Sequence, residues 1–435
     1  MHDHITHISE RQLAEALALP DLTDAAYGPH CMQSLAADAI AVLGAAWNAA
    51  TVVSRGERVV TLADNYDLLG YPSDGPARAA RHTRYVDDAR ILRTQTSAAI
   101  PAALRSLAGG SPPELVLAVP GLCWRRDSID RLHTGEPHQL DLWRITTKTM
   151  TEADLDEMID LVVGALLPAA RWRATAAEHP YTLQGREVEV QTKHDWVELL
   201  ECGLAHPDVL AAAGVADRTG LALGAGLDRA VMLRKGIDDI RLLRSADARV
   251  SRQMLDLSPY RPVSAQPPAT RDMSVAAPAG TEDEELGDLV RCALDSRARE
   301  WVEEVTVLSR TAASELPRPA RERIGIADGQ ENLLVRVQLR HPTRALSKAE
   351  ANLLRDRVYT VLHHGSVYQW TSRPRTGSAP TQPQESTALR LTPPWPEQTG
   401  CAALSPGRAT SDRRCDHGRL EFRNRWPVGH GAGLR

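Results

Sequence analysis

The chain has 435 residues, 43% hydrophobic and 25% charged, with a formal net charge of −5. Those values are ordinary for a soluble globular protein with two or three domains, and they leave no bulk basic footprint, so nucleic-acid binding has to rest on motifs. No apolar run nears the roughly 18 residues of a membrane span, and MHDHITHISER lacks the apolar centre of a signal peptide.

Six cysteines at 31, 123, 202, 292, 401 and 415 form no C-x-x-C pair. They read as scattered thiols of a reducing compartment, which makes the cytoplasm the expected location. Phe422 is the only phenylalanine, so the cores are built from Leu, Val, Ile and Ala. His2, His4 and His7 fit a frayed terminus better than a metal site.

Residues 1–55 read as a mostly helical region. Leu13, Leu17 and Leu19 mark a first amphipathic pattern, and an alanine-rich helix is predicted from Met32 to Asn48. From 56 to 257 strands and helices alternate in a larger unit. GERVVTL (56–62) reads as a strand, and 83–104 as strand, turn and helix. LVLAVPGLCWRRD (115–127) is a buried strand with HQLDLWRITT (138–147) as its antiparallel partner. Thr151 caps a helix whose Leu155, Met158, Ile159, Val162, Val163, Leu166 and Leu167 share one face. Strands at 186–192 and 196–204 read as a hairpin. This pattern predicts an α+β fold with an antiparallel sheet.

SPYRPVSAQPP (258–268) reads as a linker. Over 269–370 the predicted order is strand, helix, strand, strand, helix, with Gly365–Trp370 as a last strand, the pattern of a ferredoxin-like domain. Residues 265–372 carry 14 Lys+Arg against 16 Asp+Glu, so this domain is no bulk phosphate binder. Residues 371–435 are rich in Pro, Ser, Thr, Gly and Arg and read as a disordered tail. Cys401, Cys415 and His417 lack a fourth ligand for zinc.

The stretch GLALGAGLDRAVMLRKGIDDIRLL (220–243) runs from an apolar strand through Gly224 and Gly226 into a helix. Two glycines let the backbone approach a ligand, and a helix start offers free N–H groups. Arg229, in the first turn, runs against the helix dipole. Two readings explain it: an anion held between the arginine and the backbone, or a surface ion pair at an ordinary strand-to-helix turn. Arg125, at the end of its strand, suits a second anion, because a guanidinium makes paired hydrogen bonds to phosphate or carboxylate oxygens.

WVELLECGLAHPDVL (196–210) followed by residues 220–243 resembles the catalytic subunit of phenylalanyl-tRNA synthetases, which reads WxEVLGCGMVHPNVL and then GFAFGxGxERLxMLRYGIDDIR. CWRRDSIDRLHTGEPHQLDLW (123–143) is similar to that family's YRRDxxDxTHxPxFHQxEG at Arg125, Asp127, Asp130, His133, His138 and Gln139. PPATRDMSV and LLVRVQLRHPTRALSKAEANLLRDRV resemble its anticodon-binding module. The likeness covers about residues 20–370, and it is nearest to the single-chain organellar type.

The resemblance implies a class II synthetase core that uses ATP and Mg2+ to make an aminoacyl-adenylate and passes the acyl group to tRNA. It places Arg125 on the α-phosphate, Arg229 on the γ-phosphate and His133 against ATP, with Gly224 and Gly226 close to the polyphosphate. Glu198 would hold magnesium. Glu201 stands where the family has glycine and reads as a second magnesium ligand or, the favoured reading, an exposed acid. Gln95, Ser97, Gln139, Asp141, Leu221, Ala222 and Leu223 would form the amino-acid pocket.

Departures from the family pattern gather in that pocket. Gln95 replaces histidine, Asp141 replaces glutamate, and Leu221 and Leu223 replace two phenylalanines. Pro137 also replaces a phenylalanine, and Tyr181-Thr182-Leu183-Gln184 replaces FTEP. Losing two ring contacts at ~0.5–1.5 kcal/mol each would weaken phenylalanine binding roughly tenfold or more. Two further readings follow, a ligase for a different amino acid or acceptor and a non-catalytic paralogue that binds RNA or a partner. Retention of Arg125, Glu198 and Arg229 argues against the second. No proline lies between Pro29 and Pro72 to serve as the family's interface proline, and a monomer is expected.

Overall fold

A computed structural model describes residues 7–80, 82–107, 110, 112–192, 195–263 and 266–369. His2, His4, the expected tail and its Cys401, Cys415 and His417 lie outside them.

Among the described residues nine strands precede the linker: β1 (Ala50–Val53), β2 (Val59–Thr61), β3 (Arg90–Leu92), β4 (Glu114–Leu122), β5 (His138–Thr146), β6 (Trp172–Ala176), β7 (Thr182–Gln191), β8 (Trp196–Ala205) and β9 (Thr219–Gly226). Seven form one sheet in the order β1-β4-β5-β9-β8-β7-β6. Its pairs are antiparallel, as the alternating pattern predicts, except that β1 runs parallel to β4. Four residues of β1, only partly buried, give too short a pattern to be read in advance.

Each face of this sheet is covered separately. On one face the helices Cys31–Trp47, Glu152–Leu166 and Leu227–Lys235 pack against Val116, Ala118, Leu140, Leu142, Cys202, Leu221 and Leu223. Thr151 and Asp154 exchange the reciprocal bonds of a capping box at the start of the second helix, which satisfies backbone donors that would otherwise be lost. On the other face Leu115, Leu117, Val119, Trp143, Ile145 and Ala222 meet the Ile100–Leu107 helix and Tyr181. Alternation along each strand separates the two sets.

After residue 268 come β10 (Ala269–Pro278), β11 (Val302–Ala312) and β12 (Gln330–Leu339), an antiparallel sheet ordered β10-β12-β11. The helices Asp283–Ala293 and Lys348–Leu362 share a core with it. The expected last strand does not form over 365–369. The chain turns back there instead: His363 Nε2 bonds the Val367 carbonyl at 2.9 Å, and its ring stacks on Tyr359.

The linker is pinned at its start, where buried Lys235 Nζ donates to the carbonyls of Asp256 and Ser258 at 2.6 Å each. The C-terminal elements also grip the loop after β4. Arg291 donates to the carbonyls of Asp127 and Ser128, and Val305 N–H donates to the Ile129 carbonyl at 2.8 Å. Asp288 faces both Arg84, at 3.5 Å, and Arg126, at 3.2 Å.

Candidate active site

Three central strands, β5, β9 and β8, make the floor of a cavity of about 270 Å³. Small residues create the space. Gly220, Ala222, Gly224 and Gly226 alternate with Leu221, Leu223 and Ala225, so one face of β9 carries almost no side chain. Gly224 and Gly226 line the cavity. A Cβ on Gly224 would stand 3.7 Å from Glu201 and 3.9 Å from the Tyr181 hydroxyl.

Arg125 and Arg229 reach this cavity from different elements. Arg125 follows β4 on a loop whose backbone is tied down twice, Cys123 N–H to the Pro137 carbonyl and Arg125 N–H to the Gly135 carbonyl. Its Nε donates to the Thr94 carbonyl at 2.9 Å. Arg229 is the third residue of the Leu227–Lys235 helix, whose cap Gly226 supplies no side-chain bond. Its Nη1 donates to the Glu198 carbonyl at 2.8 Å and faces the Glu198 carboxylate at 3.3 Å. Glu198 also lines the cavity, half-exposed. Of the two readings of Arg229, the ion pair is present, and it sits inside the cleft.

His133 lines the same end. Its Nδ1 contacts Asp130 Oδ2 at 2.6 Å, and that bond raises the imidazole pKa above its ordinary value. Beneath lies a pair that motif reading left without a role. His138 accepts the Leu22 N–H at Nε2, 3.0 Å, which leaves Nδ1 to donate to Asp228 at 3.1 Å. Burial alone would raise the Asp228 carboxyl, but His138 and Arg244 overcome it and hold the group below the usual carboxylate range. The pair locks the start of β5 to the helix that carries Arg229.

The opposite end of the cavity is anionic. Asp141 on β5 is buried and accepts from Thr96 Oγ1 at 2.5 Å, Ser97 Oγ at 2.8 Å and Trp143 Nε1 at 3.4 Å. Burial outweighs those bonds and pushes its pKa up to about 6. Ser97 thus spends its hydroxyl proton on Asp141. Gln139 takes the Thr96 N–H on Oε1 at 3.2 Å, and Gln95 is engaged at both ends, by the Tyr71 hydroxyl and the Asn65 carbonyl. All four line the cavity.

Leu221, Leu223 and Ala222 do not line it. Leu221 and Leu223 point to the helix-covered face and belong to its core, because alternation from Gly224 turns them away. Ala222 faces the other way but is covered in the core with Trp143 and Tyr181. Glu201 also departs from its reading as an exposed acid. It lines the cavity, accepts from the Tyr181 hydroxyl at 2.6 Å and faces His179 Nε2 at 3.2 Å. The Tyr181 ring stacks between Trp143 and His179, with centroids 6.1 Å apart on each side. Parity along β8 and β9 carried this information: Glu201 is two residues from Gly203, on the face opposite Leu200 and Cys202.

Among the described residues no group of three or more His, Cys, Asp or Glu is placed to hold a metal ion, and no helix is long and apolar enough to cross a membrane. His7 pairs with Asp88 at 3.0 Å.

Residues 43–254 match the family described as tRNA synthetases class II core domain (F). The phenylalanine--tRNA ligase alpha subunit of Acaryochloris marina is 35% identical over 203 residues, 46% of this chain and 60% of that protein. The corresponding subunit of Clostridium beijerinckii is 34% identical over 208 residues, 43% and 59% of the two chains. The chain thus spans about 60% of the length of these relatives. The pyrrolysyl-tRNA synthetase structure from Desulfitobacterium hafniense aligns with a TM-score of 0.41 at 17% identity, over 54% of this chain and 78% of that one. Residues 43–254, which hold both arginines and the acidic end of the cavity, are thus similar to the core domain of class II tRNA synthetases.

Proposed function

We propose that this cavity binds ATP and an amino acid side by side, joins them as an aminoacyl-adenylate, and passes the acyl group to a tRNA. The observation that carries the reading is the convergence of Arg125 and Arg229 on one cleft whose other end is acidic. An amino acid set with its ammonium toward Asp141 directs its carboxylate back toward Arg125. An α-phosphate held by the same guanidinium meets that carboxylate, and fixed donors there stabilise charge as it develops. Arg229 and the uncapped helix start suit the outer phosphates. Glu198 is the residue that would hold a magnesium ion, which takes one or two carboxylates plus phosphate oxygens, and the bound ion would neutralise polyphosphate charge. His133, whose imidazole pKa is raised by its bond to Asp130, adds a further polar contact beside the nucleotide.

The relatives' names assign tRNA as acceptor to those proteins, and the same acceptor is proposed here. Amino-acid-dependent exchange of labelled pyrophosphate into ATP tests the first step. Exchange with at least one amino acid supports the reading; none across the standard twenty and ornithine refutes it.

A further inference from the structure

The acidic end of the cavity holds two carboxylates in one row across the sheet. Asp141 on β5 is directly opposite Gly224 on β9, and Gly224 is directly opposite Glu201 on β8. The glycine between them leaves the row open, the three atoms nearest its Cβ position being two of Glu201 at 3.7 Å and the Tyr181 hydroxyl at 3.9 Å. Neighbouring strands lie about 4.8 Å apart, so the two carboxylate-bearing strands are roughly 10 Å apart. A substrate's α-ammonium neutralises one of the two, and its α-carboxylate is turned toward the arginine end. The second carboxylate then lies beside the substrate side chain.

From this juxtaposition we propose that the site selects an amino acid with a cationic side chain, an amine on about three or four methylenes, and that Glu201 is the residue that selects it. This rests on the adenylate-forming reading of the cavity. Asp141 is the deeper group, fixed by Thr96 and Ser97, and takes the α-ammonium. Glu201 keeps a 36% exposed side chain and is braced by Tyr181 and His179. A carboxylate offers about four acceptor positions, so two remain for a ligand after those contacts. An apolar or phenyl side chain would expel water from Glu201 and leave its charge without a new partner, which is costly. An ammonium at the same place satisfies it.

The test compares lysine and ornithine with norleucine, which is lysine without the side-chain amine, and with phenylalanine. Titration calorimetry on the full chain reads binding, and pyrophosphate exchange reads activation. Lysine or ornithine should bind at least tenfold more tightly than norleucine and phenylalanine, and support faster exchange. Glu201→Gln should abolish the preference, while Glu201→Gly should move it toward the apolar ligands; circular dichroism checks that both variants fold. Equal or tighter binding of norleucine or phenylalanine overturns the proposal, as does a preference for the amine that survives in Glu201→Gln. Exchange driven best by phenylalanine overturns it while leaving the adenylate reading intact. Selective binding of the amine without exchange does the reverse.

Discussion

Under the proposed function, Asp141 is the residue whose protonation governs the amino-acid end of the cleft. Its pKa, raised by burial from 3.8 to about 6, means that the folded chain holds a proton the unfolded chain has released between those values. Its contribution to stability therefore falls as pH rises through that window. Activity has the opposite sign, because only the carboxylate binds an ammonium. The kcat/KM for amino acid is expected to decline as pH drops through about 6, and Asp141→Asn to remove that limb while lowering kcat/KM roughly 10- to 100-fold. A pH–rate profile of pyrophosphate exchange, wild type against variant, checks both. Gly224 offers a steric counterpart. Alanine fits there in ordinary contact with Glu201 and Tyr181, whereas valine would fill the open row. Gly224→Ala should fold with reduced amino-acid affinity, and Gly224→Val should fold but lose detectable binding, read by calorimetry with thermal melting as the folding control.

At the scale of single elements, β9 explains both what was readable beforehand and what was not. Its strand-to-helix transition, its two glycines and the arginine in the first helical turn were legible because each departs from the local default for backbone or charge. The facing of Leu221 and Leu223 was not read that way, because a family pattern with phenylalanines suggested substrate contacts where alternation from Gly224 dictates core. Leu221→Ala and Leu223→Ala should each cost about 2–5 kcal/mol in stability and leave amino-acid preference unchanged. Denaturant melts and exchange rates decide this; altered selectivity with intact stability would return these side chains to the pocket. The helix capped by Thr151 was legible from its 3.6-residue period and its cap. The four-residue β1, with mostly exposed side chains, had no period to show. Asp141 and Glu201 were visible as residues, but their alignment in one row depends on strand order and register, which belong to tertiary pairing.

For the molecule as a whole, the loop that presents Arg125 is held between two sheets. Arg291, from the Asp283–Ala293 helix, donates to the Asp127 and Ser128 carbonyls, so elements after the linker set the position of a loop in the cleft. Arg291→Ala should raise the KM for ATP several-fold and speed amide exchange over 127–133, with a smaller effect on the KM for amino acid. An unchanged KM and unchanged exchange would show that the loop holds its place alone. The proposed chemistry requires two guanidinium groups, far apart in the chain, to meet one nucleotide. A crystal structure of the full chain with ATP bound tests that most directly. The expected result is the α-phosphate within hydrogen-bonding distance of Arg125, the terminal phosphate on Arg229, and Asp141 and Glu201 left open to an amino acid. A nucleotide seated elsewhere, or touching only one of the two arginines, would contradict it.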